Sequence, residues 1–333
     1  MSFATRMAGV LSLCFAGGIG HAETTKVVFG TNWLAQAEHG GFYQSVADGT
    51  YAACGLDVEI MPGGPQVNNR ALMLAGRMDF HMGGDMLQAF NMAEQNIPVV
   101  MVGATFQKHP QVILAHPGKA ESFADLKDLT LLIGDNGFTS YYQWMIAEYG
   151  FTVEQREPYT FNPAPFIADE SKGMQGYLSS EPYAVLKEAG IEADVFLIAD
   201  AGFSSYATTI ETMRETIETR PEVVECFVDG SAKGWYNFLY GDNAAARELI
   251  KADNPDMTDD KMDYAIDKML SWGIVDSGDA LEDGILAINP DVVQDFYDKM
   301  VAAGVVSEGI DIATTYTTQF VNKGVGMELK PGN

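Results

Sequence analysis

Residues 31–43 are the most informative part of the sequence and read Thr31-Asn32-Trp33-Leu34-Ala35-Gln36-Ala37-Glu38-His39-Gly40-Gly41-Phe42-Tyr43. It follows an apolar, β-branched run at residues 26–30, which predicts a strand. A second predicted strand, residues 56–61, ends at a loop that contains Gly63 and Gly64. Ligands in open α/β sheets bind at the carboxyl ends of strands, so these two loops predict two parts of one ligand pocket.

Strand and helix signals alternate along residues 23–205, which is typical of α/β proteins with sheets dominated by parallel strands. The predicted strands cover residues 26–30, 56–61, 79–82, 99–104, 112–115, 130–134 and 195–199. From Tyr206 onward the pattern is that of amphipathic helices, at residues 209–219, 221–240, 243–253, 258–271 and 289–303.

We interpret the segment 116–205 as an inserted second domain, because it opens at the turn signal Pro117-Gly118 and carries its own strand, loop and helix. Lobe 1 then comprises residues 23–115 plus 206–333, and lobe 2 comprises residues 116–205. A hinge joins the lobes, and the cleft between them is the expected ligand site.

The first 22 residues have the pattern of a secretory signal peptide. Arg6 supplies the positive charge, residues 7–19 form an apolar run, and Gly20 and Ala22 provide small residues at the cleavage site. The run is too short to span a bilayer. We therefore predict that residues 1–22 are removed and that the protein is periplasmic. A lipid anchor is less favoured, because no small residue directly precedes Cys14.

Composition excludes several classes of function. A formal net charge of −26 argues against nucleic acid or an anionic membrane as a partner. The histidines show no i, i+4 pair and no cysteine companion, so we predict no metal site and no cofactor. No Gly-x-Ser-x-Gly elbow is present. After the signal peptide the cysteines are Cys54 and Cys226; we favour two independent buried thiols over a disulfide, since nothing in their spacing requires one.

Several short motifs match those of the solute-binding proteins of ABC importers, in the same order and at the same spacing. The chain resembles these proteins over nearly the whole mature sequence. The branch it resembles most binds thiamine pyrimidine precursors, and relatives bind sulfonates, taurine or nitrate. The motifs are Asn32-Trp33, His39 to Tyr43, Ala47 to Gly49, Gly55 to Val58, Gly63 to Pro65, Gly76 to Phe80 and Asp125 to Lys127. The resemblance implies a two-lobed periplasmic binding fold of type II, working as a monomer with importer membrane subunits.

The same superfamily includes fungal enzymes that make the thiamine pyrimidine, and these resemble the chain around His39. Such enzymes also carry a cysteine cluster and a lysine near that histidine. Here the cysteines are scattered, and no lysine lies between Lys26 and Lys108. We therefore predict a binding protein and keep a pyrimidine-synthesising enzyme as the alternative from another class.

The candidate ligand-binding residues follow predicted strands or begin helices. Each has a structural alternative: domain packing for aromatic side chains, turns for glycines, and a helix cap or helix-dipole partner for acids. The candidates in lobe 1 are Asn32, Trp33, His39, Tyr43, Gly63, Gly64, Asp85, Phe106 and Gln107. Those in lobe 2 are Tyr141, Tyr142, Glu181 and Tyr183.

The ligand expected for such a site is an aromatic nitrogen heterocycle, stacked on Trp33 or a tyrosine and donating its amino group to Glu181 or Asp85. No arginine falls in a candidate loop, which disfavours carboxylates and sulfonates, because such ligands usually recruit one. A sulfonate-like or other small organic ligand remains the second choice. A quaternary amine held by cation–π contacts is a further possibility.

Overall fold

A computed structural model describes residues 24–65 and 67–332 of the chain. The predicted signal peptide, residues 1–22, lies outside the described residues. The α/β class is confirmed: within the described residues there are two five-stranded sheets, each the centre of one lobe.

The strands agree with the predicted ones in most of lobe 1 and are extended at several ends. Their bounds are β1 Thr25–Gly30, β2 Leu56–Met61, β3 Phe80–Asp85, β4 Val99–Phe106, β5 Gln111–Ala115, β6 Thr130–Ile133, β7 Arg156–Pro158, β8 Lys172–Tyr177, β9 Asp194–Leu197 and β10 Ala207–Met213.

The helices cover the sheets, and most of those after residue 205 lie within a few residues of their predicted bounds. They are α1 Gly40–Ala47, α2 Thr50–Ala53, α3 Asn69–Leu74, α4 Met86–Glu94, α5 Asp135–Phe138, α6 Tyr141–Tyr149, α7 Ala164–Ala168, α8 Glu181–Ala189, α9 Arg214–Thr219, α10 Pro221–Tyr240, α11 Ala244–Asp253, α12 Asp259–Ser271, α13 Ala280–Asp283 and α14 Pro290–Ala302.

The sheets are mixed rather than dominated by parallel pairs. In lobe 1 the strand order is β2-β1-β3-β10-β4, and β10 runs antiparallel to both of its neighbours. The prediction of a helix from residue 209 is therefore wrong for residues 209–213, which lie in β10. In lobe 2 the order is β7-β6-β8-β5-β9, with β5 antiparallel to β8 and β9.

The first crossing between the lobes lies earlier than residue 116. Strand β5 pairs within the second sheet, so the chain leaves lobe 1 after β4 and crosses between Phe106 and Gln111. It returns between Leu197 and Ala207, because β9 belongs to the second sheet and β10 to the first. We therefore assign β5 to lobe 2.

The core of lobe 1 explains part of the motif that begins at His39. Helix α1 packs directly on α10, and a Cβ atom at Gly40 or Gly41 would overlap the rings of Phe238 or Trp235. Both glycines are therefore required by helix packing, since only glycine permits so close an approach. This contact anchors the loop that precedes α1 against the longest helix of the lobe.

A disulfide joins Cys54, at the end of α2, to Cys226 in α10, with Cα atoms 6.0 Å apart. The prediction of two independent thiols is therefore wrong. The pairing follows from the packing of α2 on α10, which a spacing of 172 residues does not reveal.

Candidate functional site

A cavity of about 220 Å³ lies between the lobes. Its walls are formed where strands end: the loop after β1, the start of α4 after β3, the start of α6 after β6, and the start of α8 after β8. The carboxyl ends of strands from two sheets therefore face one another across the cavity, as the ligand-site rule for α/β sheets predicts.

The structure brings some of the candidate residues together at this cavity. Those that line it are Asn32, Trp33, His39, Asp85, Tyr141 and Glu181. They come from three elements of lobe 1 and two of lobe 2, so the cavity combines residues of both lobes.

Other candidates lie away from the lining because they pack inside a lobe. Tyr43 is buried in lobe 1, and its hydroxyl donates to Asp253 Oδ2 over 2.7 Å. Tyr142 is buried in lobe 2, where its hydroxyl donates to the carbonyl of Thr152. Phe106 has no exposed surface and contacts the ring of Trp235. The expectation that Phe106 lines the cleft floor is thus corrected to a core position.

The remaining candidates have structural partners of other kinds. The amide of Gln107 donates to the carbonyls of Ala104 and Ala287, 2.9 Å each. The ring of Tyr183 contacts that of Tyr264, with centroids 5.2 Å apart. None of these contacts places Gln107 or Tyr183 at the cavity.

Gly63 and Gly64 support the tryptophan loop instead of lining the cavity. A Cβ at Gly63 would lie 2.6 Å from the carbonyl oxygen of Thr31, and the amide of Gly63 donates to the carbonyl of Trp33 over 2.9 Å. The close backbone approach inferred from these glycines is therefore made to the loop carrying Trp33. A Cβ at Gly64 would meet the side chain of Leu34 at ordinary contact distance.

Among the described residues, three carboxylic acids line the cavity: Glu38, Asp85 and Glu181. Burial raises the pKa of Glu181 to about 7, against hydrogen bonds that lower it, and Glu38 adds a further increase. Burial also raises the pKa values of Glu38 and Asp85. Three desolvated acids in one cavity favour a ligand that brings hydrogen-bond donors or positive charge.

Two of these acids also hold the lobes together. The hydroxyl of Ser140, in lobe 2, donates to Asp85 Oδ2 over 2.8 Å. The hydroxyl of Ser179, also in lobe 2, donates to Glu38 Oε1. The acids of lobe 1 therefore face the cavity and bind lobe 2 with the same carboxyl groups.

Two buried histidines of the cavity lining are neutral. Burial lowers the pKa of His39 and of His109 to about 3 each. The amide of Gln111 donates to His109 Nδ1 over 3.1 Å, so the proton of this ring is on Nε2, which lies 3.9 Å from Asp85 Oδ2. His39 Nδ1 is buried without a hydrogen-bond partner in the described part of the chain.

The amide groups where α4 begins are already occupied by side chains. Asp85 Oδ1 accepts from the amide of Gln88 over 3.3 Å, which confirms the predicted N-cap. The amide of Met86 donates to Ser205 Oγ, and that of Gly84 to the side-chain oxygen of Gln88. This helix start therefore does not offer free amides to an oxyanion in the way that anion-binding helix N-termini do.

Aromatic rings close the cavity from both lobes. The half-buried Trp33 contacts Phe161 of lobe 2, with ring centroids 4.7 Å apart. Deeper in the cavity, the hydroxyl of Tyr141 donates to Gln175 Oε1 over 3.0 Å. Tyr177 lies beside the ring of His109. A planar ligand would thus meet aromatic surface on several sides.

The cavity lining contains acidic side chains that no positively charged side chain of the described lining balances. Within residues 24–65 and 67–332, no lysine or arginine lines the cavity. Arg70 lies behind its wall, where both oxygens of the buried Glu211 accept from Nη2 at 2.9 Å. The charge of Arg70 is thus neutralised by a carboxylate of the protein.

Reasoning from sequence missed several lining residues. Glu38 and Gln36 lie in the quoted opening stretch but received no role; an acid in an otherwise apolar and histidine-containing run was the available signal. His109 was considered only as a metal ligand. Gln88 and Gln175 gave no signal, because polar residues at these positions look like solvated surface.

Among the described residues there is no metal-binding group of side chains and no membrane-spanning helix. Within the described range, no group of three or more His, Cys, Asp or Glu residues is arranged to hold a metal. The helices of the same range are too short or too polar to span a bilayer.

Comparison with known families gives one match. The family model described as NMT1/THI5 like matches residues 36–245, which is more than half of the chain. A comparison with curated proteins finds no match.

Solved structures share the fold at low identity. The periplasmic aliphatic sulphonate-binding protein SsuA from Escherichia coli has 16% identity and a TM-score of 0.60, covering 87% of this chain and 91% of its own. The periplasmic nitrate-binding protein NrtA from Synechocystis PCC 6803 has 12% identity and a TM-score of 0.62, covering 90% and 87%. The desulfurization enzyme DSZB has 12% identity and a TM-score of 0.58, covering 91% and 99%. These likenesses establish the two-lobed fold of periplasmic binding proteins.

Proposed function

The chain belongs to the NMT1/THI5-like family, and from that premise we propose that it is a periplasmic solute-binding protein that delivers a small nitrogen heterocycle to an ABC importer. The proposed ligand class is an amino-bearing aromatic ring such as a thiamine pyrimidine precursor. The proposed site is the interlobe cavity, with Asn32, Trp33, His39, Asp85 and Glu181 among its contacts.

The observation that carries the proposal is the combination of three acids with aromatic walls and no lysine or arginine in the lining among the described residues. An amino group donates to carboxylates, and a ring nitrogen accepts from a neutral donor. The flat faces of the ring match Trp33 and Tyr141. A cavity of about 220 Å³ suits a ligand with one ring.

The second candidate ligand is a sulfonate or a similar small anion, because SsuA and NrtA share the fold. The chemistry of this cavity argues against it. A buried anion needs positive charge or free amides, whereas Glu38, Asp85 and Glu181 line the cavity and side chains occupy the amides at the start of α4.

The alternative from another class is an enzyme that makes a pyrimidine from a vitamin-like cofactor. Cys54 and Cys226 are joined to each other and do not line the cavity, and the described lining contains no lysine. We therefore propose binding without catalysis. Prolonged incubation with pyridoxal phosphate and iron tests this, and formation of a pyrimidine product would contradict it.

A thermal-shift series across pyrimidines, purines, flavins, amines and sulfonates tests the ligand class. A ligand that binds the native state raises the unfolding midpoint according to its concentration over its dissociation constant. We expect aminopyrimidines to raise the midpoint most. A shift with sulfonates alone would overturn the proposed ligand.

A further inference from the structure

The side chain of Gln88 lines the cavity with a fixed orientation. Its Oε1 accepts from Arg70 Nη2 over 2.5 Å and from the amide of Gly84 over 3.1 Å. Guanidinium and backbone amide groups only donate, so the atom that faces them must be the oxygen. The amide nitrogen Nε2 therefore carries the N–H groups of this side chain, beside the α-carbon of Gly84, and Gln88 belongs to the cavity lining.

A buried ion pair behind the wall fixes Arg70 in turn. Both oxygens of Glu211 accept from Arg70 Nη2 at 2.9 Å, and His81 Nδ1 lies 3.2 Å from Glu211 Oε2. Burial raises the pKa of Glu211, but Arg70 and His81 together hold it below its ordinary value. The pair is thus charged, and separating it would leave a buried charge without a partner.

We propose that Gln88 is a specificity-determining residue whose amide N–H group donates to the ligand, and that the Arg70–Glu211 pair is the device that positions it. Gln88 and Asp85 lie one helical turn apart, and Asp85 accepts the backbone amide of Gln88. A donor and an acceptor are thereby presented side by side on one wall. The matching ligand edge has a ring nitrogen next to a carbon that bears an amino group.

This inference rests on the proposed function and narrows it. A cavity that only required an amine would tolerate any position of the ring nitrogen. A cavity with a fixed donor beside its acceptor discriminates between positional isomers, because the wrong isomer leaves the donor of Gln88 without a partner.

The probes are 2-aminopyridine and 3-aminopyridine, which have the same atoms and differ in whether the ring nitrogen adjoins the amino-bearing carbon. Titration calorimetry at mildly alkaline pH, where both are uncharged, gives the ratio of their dissociation constants. We expect the wild-type protein to bind 2-aminopyridine about tenfold more tightly.

Gln88→Glu is the decisive variant, since a carboxylate still accepts from Arg70 and Gly84 but replaces the free donor by an acceptor. We expect the dissociation constant of 3-aminopyridine divided by that of 2-aminopyridine to fall to about one or below. Gln95→Glu, the same change at the exposed end of α4, is the matched control and should leave the ratio as in the wild type.

The double variant Arg70→Met/Glu211→Met tests the positioning device, because it removes both charges of the pair together and leaves neither unpaired. We expect a native circular dichroism spectrum and a reduced ratio. If this variant does not fold, Gln88→Glu still decides the role of Gln88. If it folds with an unchanged ratio, the positioning role of Arg70 is wrong.

The outcomes separate this inference from the function on which it rests. Equal binding of both isomers by the wild type, or an unchanged ratio in Gln88→Glu, would overturn the inference and leave the proposed function standing. Binding of neither isomer would contradict the proposed function, and the inference would fall with it.

Discussion

Trp33 shows how one residue acquires a cavity-lining position. It comes three residues after β1, in a loop held by the close approach of Gly63 and by the bond from Gly63 to its carbonyl. Its ring remains half-buried at the mouth of the cavity, opposite Phe161. The sequence predicted the loop and its glycines, and the structure shows that the glycines support the tryptophan.

Trp33→Ala is expected to weaken binding of 4-aminopyrimidine about tenfold or more, because a stacked ring contributes roughly 0.5–1.5 kcal/mol beyond the area it buries. Titration calorimetry measures the change. Leu34→Ala is the control, since Leu34 is the exposed neighbour of Trp33 and does not line the cavity. Equal affinity in wild type and Trp33→Ala would remove Trp33 from the site.

Glu181 predicts how binding depends on pH. Its pKa is raised from 4.5 to about 7 by burial, so the carboxylate that an amino group needs forms as the pH rises through about 7. Affinity for an uncharged aminopyrimidine is expected to increase over that interval, and Glu181→Gln should abolish the increase. Affinity that rises equally in Glu181→Gln would assign the titration to another group.

The raised pKa of Glu181 also affects the stability of the free protein, which is expected to fall as the pH rises, whereas ligand affinity is expected to increase. Between pH 4.5 and about 7 the native state holds a proton that the unfolded state has released, so stability falls as the pH rises through this window. Glu181→Gln is expected to raise the free energy of unfolding by about 2 kcal/mol above pH 7, and not below pH 4.5. Urea unfolding at the two pH values checks this.

At the scale of elements, one residue at the start of α4 both caps the helix and lines the cavity. Asp85 caps the helix, accepts from Ser140 of lobe 2 and lines the cavity. The sequence predicted the cap from an acid before a helical pattern. The contact with lobe 2 depends on how the two lobes meet, which no local pattern contains.

The roles of Asp85 are separable by mutation. Asp85→Asn is expected to keep the cap, because asparagine and aspartate cap about equally well, and to lose most of the ligand affinity with the charge. Asp85→Ala should also lower the free energy of unfolding by about 1 kcal/mol. Denaturant unfolding and calorimetry on both variants check this, and full affinity in Asp85→Asn would contradict a ligand role.

Strand β10 shows where prediction of elements failed. Its residues read Ala-Thr-Thr-Ile-Glu-Thr-Met. The charged residues of α9 follow directly, and the predicted helix was therefore begun too early, at residue 209. The β-branched content favours a strand, but a glutamate is rarely buried in one. In the structure Glu211 is fully buried and paired with Arg70, an arrangement that requires a partner 141 residues away.

Strand β5 shows a second limit. Its bounds were predicted within one residue, but it was assigned to lobe 1, because the domain boundary was placed at the turn signal Pro117-Gly118. Membership of a sheet is decided by pairing, and β5 pairs with β8 and β9. Periodicity indicates that a strand exists and does not indicate which sheet it joins.

At the scale of the whole molecule, the two lobes meet through paired side chains around the cavity. Ser140 donates to Asp85, Ser179 donates to Glu38, and Phe161 contacts Trp33. The two-lobed α/β architecture was predictable from the alternating pattern and from family motifs. The lining residues contributed by lobe 2 were only partly predictable, because they are selected by the apposition of the lobes.

The disulfide between Cys54 and Cys226 links distant parts of lobe 1. Cross-linking residues 172 positions apart restricts the unfolded chain, and Cys54→Ser/Cys226→Ser is expected to lower the free energy of unfolding by about 2–4 kcal/mol. Urea unfolding measures the loss. Adding a reductant should destabilise the wild type similarly and leave the double variant unchanged. Equal stability of the oxidised wild type and the variant would contradict a stabilising role.

If the proposed function is right, the interlobe cavity binds an amino-bearing nitrogen heterocycle in preference to a small anion. Calorimetric titration of the mature protein with 4-amino-5-hydroxymethyl-2-methylpyrimidine and, in the same buffer, with an alkanesulfonate tests this preference. We expect saturable binding of the pyrimidine, weakened in Trp33→Ala and Glu181→Gln, and no measurable heat with the sulfonate. Saturable binding of the sulfonate with no binding of the pyrimidine would contradict this expectation.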